Sequence, residues 1–392
     1  MEIIYSSATK LGGVGLANVV NHAVHAIYGA GYLKKAIVYG NRQQIIPSSL
    51  IKVVWFQPTK VFSSLPARYY YSMKRMWLDY TASRFIKRKG CDIFHGWTHE
   101  CLRSIQEAKE RGALTIIERG YCHPLYSKRT LDEEYERWGI KRFPDGRRLL
   151  RRFDHWYREE TVALEEFELA DYVFVPSHFA KETFLQYGFP EDKLVMIPRG
   201  VDINYYKPSS KKKDTTFRLV FVGMVCIRKG VQYLLEAWKR LNLIKAELLL
   251  VGSIHHEIKP ILESYVGMDN IKVLGFVKDP VGLYDSASVF VFPTLDEGSA
   301  KVSYEAMACG LPVVTTPNAG SLVTDGVDGF LTPIRDVEVL KEKILFFYNN
   351  PNAAREMGYM ARKHIEPFTW DRYEKTLLDK YIELWKRRQN FL

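Results

Sequence analysis

The 392-residue chain has few cysteines and no long apolar run. Its five cysteines are odd in number and show no C-x-x-C spacing, which argues against a disulfide framework or a zinc site and favours free thiols in a reducing compartment. No apolar stretch approaches the roughly 20 residues that a transmembrane helix needs. The opening MEIIYSSA has no basic region before an apolar segment, so we expect a cytoplasmic protein without a signal peptide.

Positive charge is in excess, since the net charge is +11. Nucleic acid, anionic membrane and phosphorylated small molecules are candidate partners, and no nucleic-acid-binding motif is recognised. Much of the excess lies between Tyr69 and Gly90, where Lys and Arg outnumber Asp79 and alternate with aromatic residues. Such a helix is typical of a surface for anionic lipid headgroups. An equally open alternative is a helix that packs its aromatic side chains inward.

Short apolar strands alternate with helical segments, which predicts parallel sheets covered by helices. The predicted strands lie near 2–7, 35–39, 51–56, 92–95, 114–118, 172–176, 194–198, 217–222, 247–251, 271–274, 289–292, 312–315 and 329–331. The segment 201–216 has the Pro, Ser and Lys content of an exposed linker, which places a boundary near residue 207. The charged, aromatic segment 121–160 is interpreted as an inserted helical element.

The most specific signal is the segment 290–310, FVFPTLDEGSAKVSYEAMACG. An apolar strand ends there in a polar loop, and a helix is predicted from near Val302 to Gly310. Glu297 and Glu305 lie eight residues apart around the helix start. Free backbone N–H groups at a helix start attract a phosphate, whereas carboxylates accept hydrogen bonds from hydroxyls. The segment therefore offers the groups that a nucleotide-sugar needs.

The string from Glu297 to Val314, Glu, seven residues, Glu, then AMACGLPVV, resembles the donor-binding signature of retaining glycosyltransferases of family 4 (group 1), which have the GT-B fold. The resemblance implies an α/β protein with two Rossmann-like domains that face a central cleft. The acceptor-binding domain would comprise 1–206, and the nucleotide-sugar-binding domain 207–367. The terminal helix, 368–392, would cross back to pack on the first domain.

A glycine-rich loop after the first strand resembles the loop that faces the donor in GT-B enzymes. Gly13 and Gly15 let the backbone turn sharply and approach a ligand closely. Asn18 stands where the dinucleotide-binding fingerprint has its third glycine, so that alternative is not favoured.

A second loop, which begins at Gly223, carries the basic residues expected beside the donor diphosphate. Lys229 matches a basic residue of the family, but Met224 stands in place of the usual arginine. Arg228 and Arg199 are therefore candidates to supply the missing positive charge.

The resemblance assigns further roles. The diphosphate would lie against Lys229 and the loop 298–301, Glu305 would hold the ribose hydroxyls, and Glu297 would hold the transferred sugar. The donor-binding candidates are Gly13, Gly15, Gly223, Arg228, Lys229, Glu297, Gly298, Ser299, Ala300, Lys301, Val302 and Glu305. The catalytic candidates are Glu297, Lys229 and His95.

The N-terminal half supplies candidates for the sugar and the acceptor. His95 ends a predicted strand, where ligands bind in open α/β sheets, although a structural role is equally expected. Many relatives have a sugar-binding histidine where Arg119 stands. Glu118, Arg119, His123 and Arg199 are the acceptor or sugar candidates.

These observations predict a retaining glycosyltransferase that moves a hexose from a UDP- or GDP-sugar to a glycan or lipid-linked acceptor in polysaccharide or glycolipid biosynthesis. The sequence has no Asp-x-Asp motif, so we expect no metal and no cofactor, with the nucleotide-sugar as co-substrate. The basic stretches at 69–90 and 147–158 suggest peripheral contact with the anionic inner face of the cell membrane. The alternatives are a nucleotide-sugar epimerase on the same fold, a non-catalytic nucleotide-sugar-binding protein, which Met224 would allow, and a nucleic-acid-binding protein.

Overall fold

The computed structural model describes residues 1–55, 67–140, 155–209 and 215–390. Within these ranges the chain forms two β-sheets with helices packed against them, which confirms the predicted α/β class. We call the part built on the first sheet the N-terminal domain and the part built on the second sheet the C-terminal domain. The predicted linker residues 210–214 and the basic stretch 147–154 lie outside the described residues.

Every described pair of neighbouring strands is parallel. The first sheet has the order β3-β2-β1-β4-β5-β6-β7 and consists of β1 (Ile3–Leu11), β2 (Leu33–Asn41), β3 (Ile51–Val53), β4 (Ile93–Trp97), β5 (Leu114–Glu118), β6 (Tyr172–Val175) and β7 (Leu194–Met196). The second sheet has the order β10-β9-β8-β11-β12-β13 and consists of β8 (Phe217–Val222), β9 (Ala246–Val251), β10 (Ile271–Gly275), β11 (Val289–Phe292), β12 (Val313–Thr315) and β13 (Gly329–Leu331).

Helices connect the strands, as parallel pairing requires. In the N-terminal domain they are α1 (Leu16–Gly29), α2 (Ala67–Lys89), α3 (Leu102–Glu110), α4 (Pro124–Arg137), α5 (His155–Leu169) and α6 (His178–Gln186). In the C-terminal domain they are α7 (Val231–Leu241), α8 (Lys259–Glu263), α9 (Val281–Ser286), α10 (Lys301–Ala308), α11 (Val337–Asn349) and α12 (Pro351–Ile365), followed by the terminal helix α13 (Trp370–Asn390).

Each predicted strand is present, and the differences are at the ends of elements. Strand β1 continues to Leu11 because Lys10 and Leu11 pair with Gly40 and Asn41 of β2, so the glycine-rich loop is shorter than predicted. Helix α10 begins at Lys301 and ends at Ala308, close to the predicted bounds. Helices α4 and α5 confirm the helical interpretation of the described part of 121–160.

The terminal helix α13 packs on the N-terminal domain, which confirms the predicted crossover. Leu377, Tyr381 and Leu384 are buried in the same core cluster as the first sheet and α1. At the start of the helix, Trp370 stacks on His22 of α1 with ring centroids 4.2 Å apart. The terminal helix α13 therefore covers one face of the N-terminal domain.

No helix among the described residues combines the length and the apolar character that crossing a membrane would require.

Candidate functional site

A cavity of about 300 Å³ lies at the carboxyl ends of the N-terminal strands, and Arg228 of the C-terminal domain completes its wall. Lys229, Glu297, Glu305 and the loop 298–302 are not among its lining residues. Loops after β4 and β5, the start of α4 and the loop after β8 form its wall. This edge is where open α/β sheets bind ligands. The lining residues that matter below are Trp97, Glu118, Arg119, Tyr121, Ser127 and Arg228.

Lys229 and Glu297 meet in the C-terminal domain, where the ends of β8 and β11 lie side by side. The Lys229 Nζ contacts a carboxylate oxygen of Glu297, and each side chain is 13% exposed. Gly230, with φ 68°, makes this possible, since a Cβ there would lie 1.9 Å from the Pro293 carbonyl oxygen. Burial, with the charge of Arg228, lowers the pKa of Lys229 to about 8. Two of the three catalytic candidates are thus one ion pair.

Arg228 is held by a carboxylate that sequence reasoning missed. Its Nε lies 3.4 Å from Oδ1 of Asp296, which is fully buried. Asp296 also accepts a hydrogen bond from Ser127 of α4, in the other domain. Asp296 directly precedes Glu297 in the sequence. Its contacts join the two domains, so they could not be inferred from the neighbouring residues in the chain. Arg228 lines the cavity, as the compensating role predicted for it requires.

Glu305 lies in the middle of α10 and is 6% exposed. Its carboxylate pairs with Lys301 at 3.2 Å and accepts hydrogen bonds from Tyr284, at 3.4 Å, and from Tyr206. Polar hydrogens therefore already surround this carboxylate. Ribose hydroxyls could replace some of them without leaving a charge unpaired.

The loop before α10 is pinned to the N-terminal domain. The Ser177 hydroxyl donates to the Gly298 carbonyl oxygen at 2.5 Å, and a Cβ on Gly298 would lie 2.1 Å from the Gly120 carbonyl oxygen. Ser299 hydrogen bonds to Tyr304 at 3.2 Å. Ala300, the residue at the N-cap of α10, gives the helix no side-chain cap, so first-turn N–H groups remain for a ligand. Val302 is the second residue of that turn.

The glycine candidates take up special backbone positions. Gly15, with φ 67°, precedes Leu16, a cavity-lining residue, so the glycine-rich loop lies at the cavity rim. A Cβ on Gly13 would lie 2.9 Å from that of Ala17, so the loop packs tightly on α1. Gly223 directly follows β8, with φ 152°, and lies beside Phe292.

His95 does not line the cavity, which corrects its placement among the catalytic candidates. The side chain is fully buried, and its Nδ1 is hydrogen bonded to the Tyr381 hydroxyl of α13 at 2.5 Å. Its Nε2 lies 3.4 Å from Glu118, which does line the cavity. His95 is therefore placed to position Glu118, and the crossover of α13, which covers it, could not be located from the local sequence.

Glu118 is the cavity-facing member of a buried polar network. It is paired with Arg199 and accepts a hydrogen bond from the Tyr5 hydroxyl at 3.4 Å. Burial alone would raise the pKa of Glu118, but the charge of Arg199 and hydrogen bonds from His95 and Arg199 lower it to about 2. Glu118 is thus an anion in the cavity wall at neutral pH.

Arg199 does not take the place of the usual arginine at position 224, where this chain has Met224, and this corrects the second role considered for Arg199. The Arg199 guanidinium is 7% exposed, is paired with Glu118 and does not line the cavity. His123 is also misplaced by the sequence prediction. Its ring stacks on Tyr187 in the domain interior, and burial, with the charge of Arg119, lowers its pKa to about 4.

Helix α4 crosses from the N-terminal domain to the C-terminal domain. Its Glu134 is fully buried and accepts hydrogen bonds from Gln232 at 2.9 Å, Tyr233 at 2.7 Å and Arg335 at 2.7 Å. Arg335 also donates to the Thr130 carbonyl oxygen at 2.9 Å. Arg335 has φ 68°, a costly conformation for a side-chain-bearing residue, which its bonds to α4 help to hold. We call this set of contacts the α4 bridge.

Metal-ligating side chains do not cluster in the part of the chain that the structure describes: no three His, Cys, Asp or Glu residues are grouped so that they could hold an ion.

Family models match the two domains in tandem. Residues 46–205 match Glycosyltransferase Family 4, and residues 216–350 match Glycosyl transferases group 1. Capsular polysaccharide biosynthesis glycosyltransferase CapM of Staphylococcus aureus is 31% identical over 163 residues, which are 40% of this chain and 43% of CapM. A D-inositol 3-phosphate glycosyltransferase of Paenarthrobacter aurescens is 28% identical over 225 residues, 52% of this chain and 55% of that protein. The chain spans about half the length of the curated relatives it matches.

Solved structures resemble the whole chain. A sucrose-phosphate synthase from Thermosynechococcus elongatus superposes with a TM-score of 0.73 at 18% identity, covering 99% of this chain and 100% of that chain. Anabaena HepE in complex with UDP-glucose superposes with a TM-score of 0.69 at 17% identity, covering 98% of this chain and 100% of that chain. At these identities the likeness shows the fold, which is the predicted GT-B arrangement.

Proposed function

This chain belongs to the group 1, family 4 glycosyl transferases, and we propose that it transfers a sugar from a nucleotide-sugar to a glycan or lipid-linked acceptor with retention of configuration. The observation that carries the proposal is the Lys229–Glu297 pair, which lies near the uncapped start of α10 and next to Arg228, a residue of the cavity wall. Positive charge for a diphosphate and oxygens for hydroxyls are thus available within one site. The relative CapM, which is named for capsular polysaccharide biosynthesis, supports a role in polysaccharide assembly.

In the proposed mechanism, negative charge grows on the leaving diphosphate as the glycosidic bond breaks. Lys229, Arg228 and the N–H groups at the start of α10 would stabilise that charge without a metal ion. These groups are held in place before the reaction, so they stabilise the transition state more than the ground state. The leaving phosphate would take the acceptor's proton while the acceptor attacks from the same face of the sugar. Glu297 would orient the sugar through its hydroxyls and need not act as a nucleophile.

We propose a UDP- or GDP-linked donor. HepE, which shares the fold, is described in complex with UDP-glucose, and this supports UDP as the first donor to test. Specific binding of one nucleotide-sugar should raise the melting temperature as ligand is added in excess. A screen of UDP-, GDP- and ADP-sugars by thermal shift therefore identifies the base.

Replacement of Glu305 by alanine should weaken binding of the selected nucleotide by about tenfold or more, since hydrogen bonds to a charged group are worth about 1.5–3 kcal/mol. Calorimetric titration of the nucleotide into the wild type and Glu305→Ala measures the change. Glu338→Ala, which removes an exposed glutamate of α11, is the control and should bind as the wild type does. Equal affinity of Glu305→Ala and the wild type would remove Glu305 from the ribose role.

We further propose that α2 contacts an anionic membrane surface. Leu78, Ala82 and Ile86 are buried on one side of the helix, which shows that the packing interpretation holds for its aliphatic residues. Met76 and Tyr71 are 62% and 52% exposed. The basic side chains of its last two turns are also exposed, and they are Arg84, Lys87, Arg88 and Lys89. Exposed apolar and basic side chains on one helix favour a membrane interface.

Vesicles that contain anionic lipid should pellet the protein at low salt and release it at high salt. The triple variant Lys87→Glu, Arg88→Glu, Lys89→Glu should bind at least about tenfold more weakly, because each basic residue near the surface contributes about 1 kcal/mol. A charge-matched control replaces Arg355, Lys363 and Lys375, which lie on other helices, by glutamate. Equal loss of binding in the two triple variants would mean that net charge alone, and not α2, attracts the protein.

A further inference from the structure

Arg119 lines the cavity although its side chain is almost wholly buried, with 8% of the residue exposed. Its Nε donates to the Cys122 carbonyl oxygen at 3.0 Å, which fixes the guanidinium in the loop after β5. Among the residues that the structure describes, no carboxylate forms an ion pair with Arg119. Burial lowers the pKa of Arg119, yet a guanidinium keeps its charge at neutral pH. The nearby Asp296 carboxylate opposes this lowering of the pKa, but its ion pair is with Arg228, so the charge of Arg119 is only partly compensated.

A second arginine lies close to the first, across a shared aromatic ring. The Tyr121 ring centroid is 6.0 Å from Cζ of Arg119 and 5.4 Å from Cζ of Arg228. Arg119 belongs to the N-terminal domain and Arg228 to the C-terminal domain. Closure of the two domains thus places two guanidinium groups at one part of the cavity.

Several other charges in or near the cavity wall are already compensated. The pairs are Glu118 with Arg199, Lys128 with Asp132, Arg228 with Asp296, and Lys229 with Glu297. Arg119 contrasts with these groups, because a buried charge without a partner is costly. A ligand that brings a negative charge would remove this cost, and a planar guanidinium binds a carboxylate through two parallel hydrogen bonds.

The donor diphosphate does not supply this charge in the proposed binding mode. It is assigned to Lys229, Arg228 and the start of α10, which all belong to the C-terminal domain, whereas Arg119 belongs to the N-terminal domain. We propose that Arg119 binds the carboxylate of a uronic acid, on either the transferred sugar or the acceptor. The proposal rests on the transferase function above and specifies its substrate class. A neutral hexose would leave Arg119 without a counter-charge.

The test compares acidic and neutral sugars that are otherwise matched. In the donor arm, calorimetry measures the affinity for UDP-glucuronic acid against UDP-glucose, and for GDP-mannuronic acid against GDP-mannose. In the acceptor arm, it measures methyl glucuronide against methyl glucoside with UDP or GDP present. We expect about a tenfold to hundredfold preference for the acid in one arm, since hydrogen bonds between charged groups have that strength. The arm that shows the preference identifies the source of the carboxylate.

Arg119→Gln should abolish the preference, and Arg119→Lys, which keeps the charge but loses the paired hydrogen bonds, should retain part of it. The control Arg111→Gln, which removes a partly exposed arginine at the end of α3, should leave the preference unchanged. Melting temperatures establish that each variant is folded. If Arg119→Gln unfolds, the test rests on Arg119→Lys. A preference for the acid in Arg119→Lys equal to that of the wild type would show that only the positive charge is needed. That result would overturn the proposed pair of hydrogen bonds to the carboxylate.

Equal affinity for acidic and neutral sugars in both arms overturns the proposal. An equal loss of affinity for UDP itself in Arg119→Gln also overturns it, because the guanidinium would then bind the diphosphate. Failure of the proposed function is a separate result: no nucleotide or nucleotide-sugar would bind, while methyl glucuronide could still be tested against methyl glucoside. Nucleotide binding without any acid preference would preserve the function and reject the subsite.

Discussion

Lys229→Ala should lower the rate at which the nucleotide-sugar is cleaved by about 10²–10³, the loss typical when one preorganised donor to a developing negative charge is removed. Lys229 is expected to act on the leaving diphosphate, because it lies in the loop after β8 and its Nζ contacts Glu297, in the loop that leads to the uncapped start of α10. Single-turnover release of nucleotide from the donor selected by thermal shift measures this rate without knowledge of the acceptor.

The pH dependence gives a second measure of the same role. The pKa of Lys229 is lowered to about 8, so the fraction of charged lysine falls as the pH rises through this value. The kcat/KM of the wild type for the donor should therefore decrease above about pH 8, since this parameter reports groups in the free enzyme. In Lys229→Ala this decrease should disappear.

Lys239→Ala is the matched control, because Lys239 is an exposed lysine of α7 in the same domain. It should keep both the rate and the pH profile of the wild type. A rate in Lys229→Ala within a factor of two or three of the wild type would exclude Lys229 as the group that stabilises the leaving diphosphate. Arg228 and the start of α10 would then have to supply that charge.

Arg199→Met should lower the free energy of unfolding by about 3–5 kcal/mol, the usual effect of leaving a buried charge without its partner. Glu118 is buried and its negative charge is compensated by Arg199. The variant therefore leaves the Glu118 carboxylate buried in the cavity wall without its ion-pair partner. The double variant Glu118→Gln, Arg199→Met should be more stable than the single variant, because it removes both charges. Urea denaturation at pH 7 measures all three proteins.

The control for this pair is Arg111→Met, which breaks a partly exposed ion pair with Glu107 on α3. Exposed pairs of this kind are worth up to about 1 kcal/mol, so the loss should be small. If Arg199→Met destabilises no more than Arg111→Met, the buried network does not hold the cavity wall together.

The sign of the pH effect follows from the pKa of Glu118, which is lowered to about 2 from its ordinary value of 4.5. A carboxyl with a lowered pKa stabilises the folded state above its unfolded pKa and loses this contribution as the pH falls towards the folded pKa. The difference in unfolding free energy between the wild type and Glu118→Gln should therefore be largest above pH 4.5 and should shrink towards pH 2.

Local patterns predicted most of the fold. The thirteen strands and the helical nature of 121–137 were expected, because strands leave short apolar runs and helices leave longer charged segments. The crossover of α13 was expected only from the resemblance to the family, whose signature lies in one continuous segment. The same holds for the Lys229–Glu297 region, where both residues follow strands that are neighbours in the second sheet. Parallel strands end at the same edge, so residues that follow them come together.

What the sequence did not predict depends on contacts between distant elements. Asp296 is held by its contacts with Ser127 and Arg228. His95 is covered by Tyr381, which is 286 residues away in the sequence and hydrogen bonds to its ring. The role of Arg199 was also missed for this reason, since its partner Glu118 is 81 residues away in the sequence. A residue's type and neighbours in the chain cannot distinguish a cavity-lining histidine from one covered by a terminal helix.

The α4 bridge has a consequence for recombination between members of this fold. In sequence α4 belongs to the N-terminal half, yet its Glu134 accepts hydrogen bonds from Gln232, Tyr233 and Arg335 of the C-terminal domain. Trp138, at the end of α4 itself, also donates to Glu134. A chimera joined at the linker near residue 207 would separate this carboxylate from all three partners and bury it uncompensated. The unit that can be exchanged between homologues is therefore discontinuous in sequence and comprises the second sheet together with α4. A stable chimera must take both parts from the same parent protein.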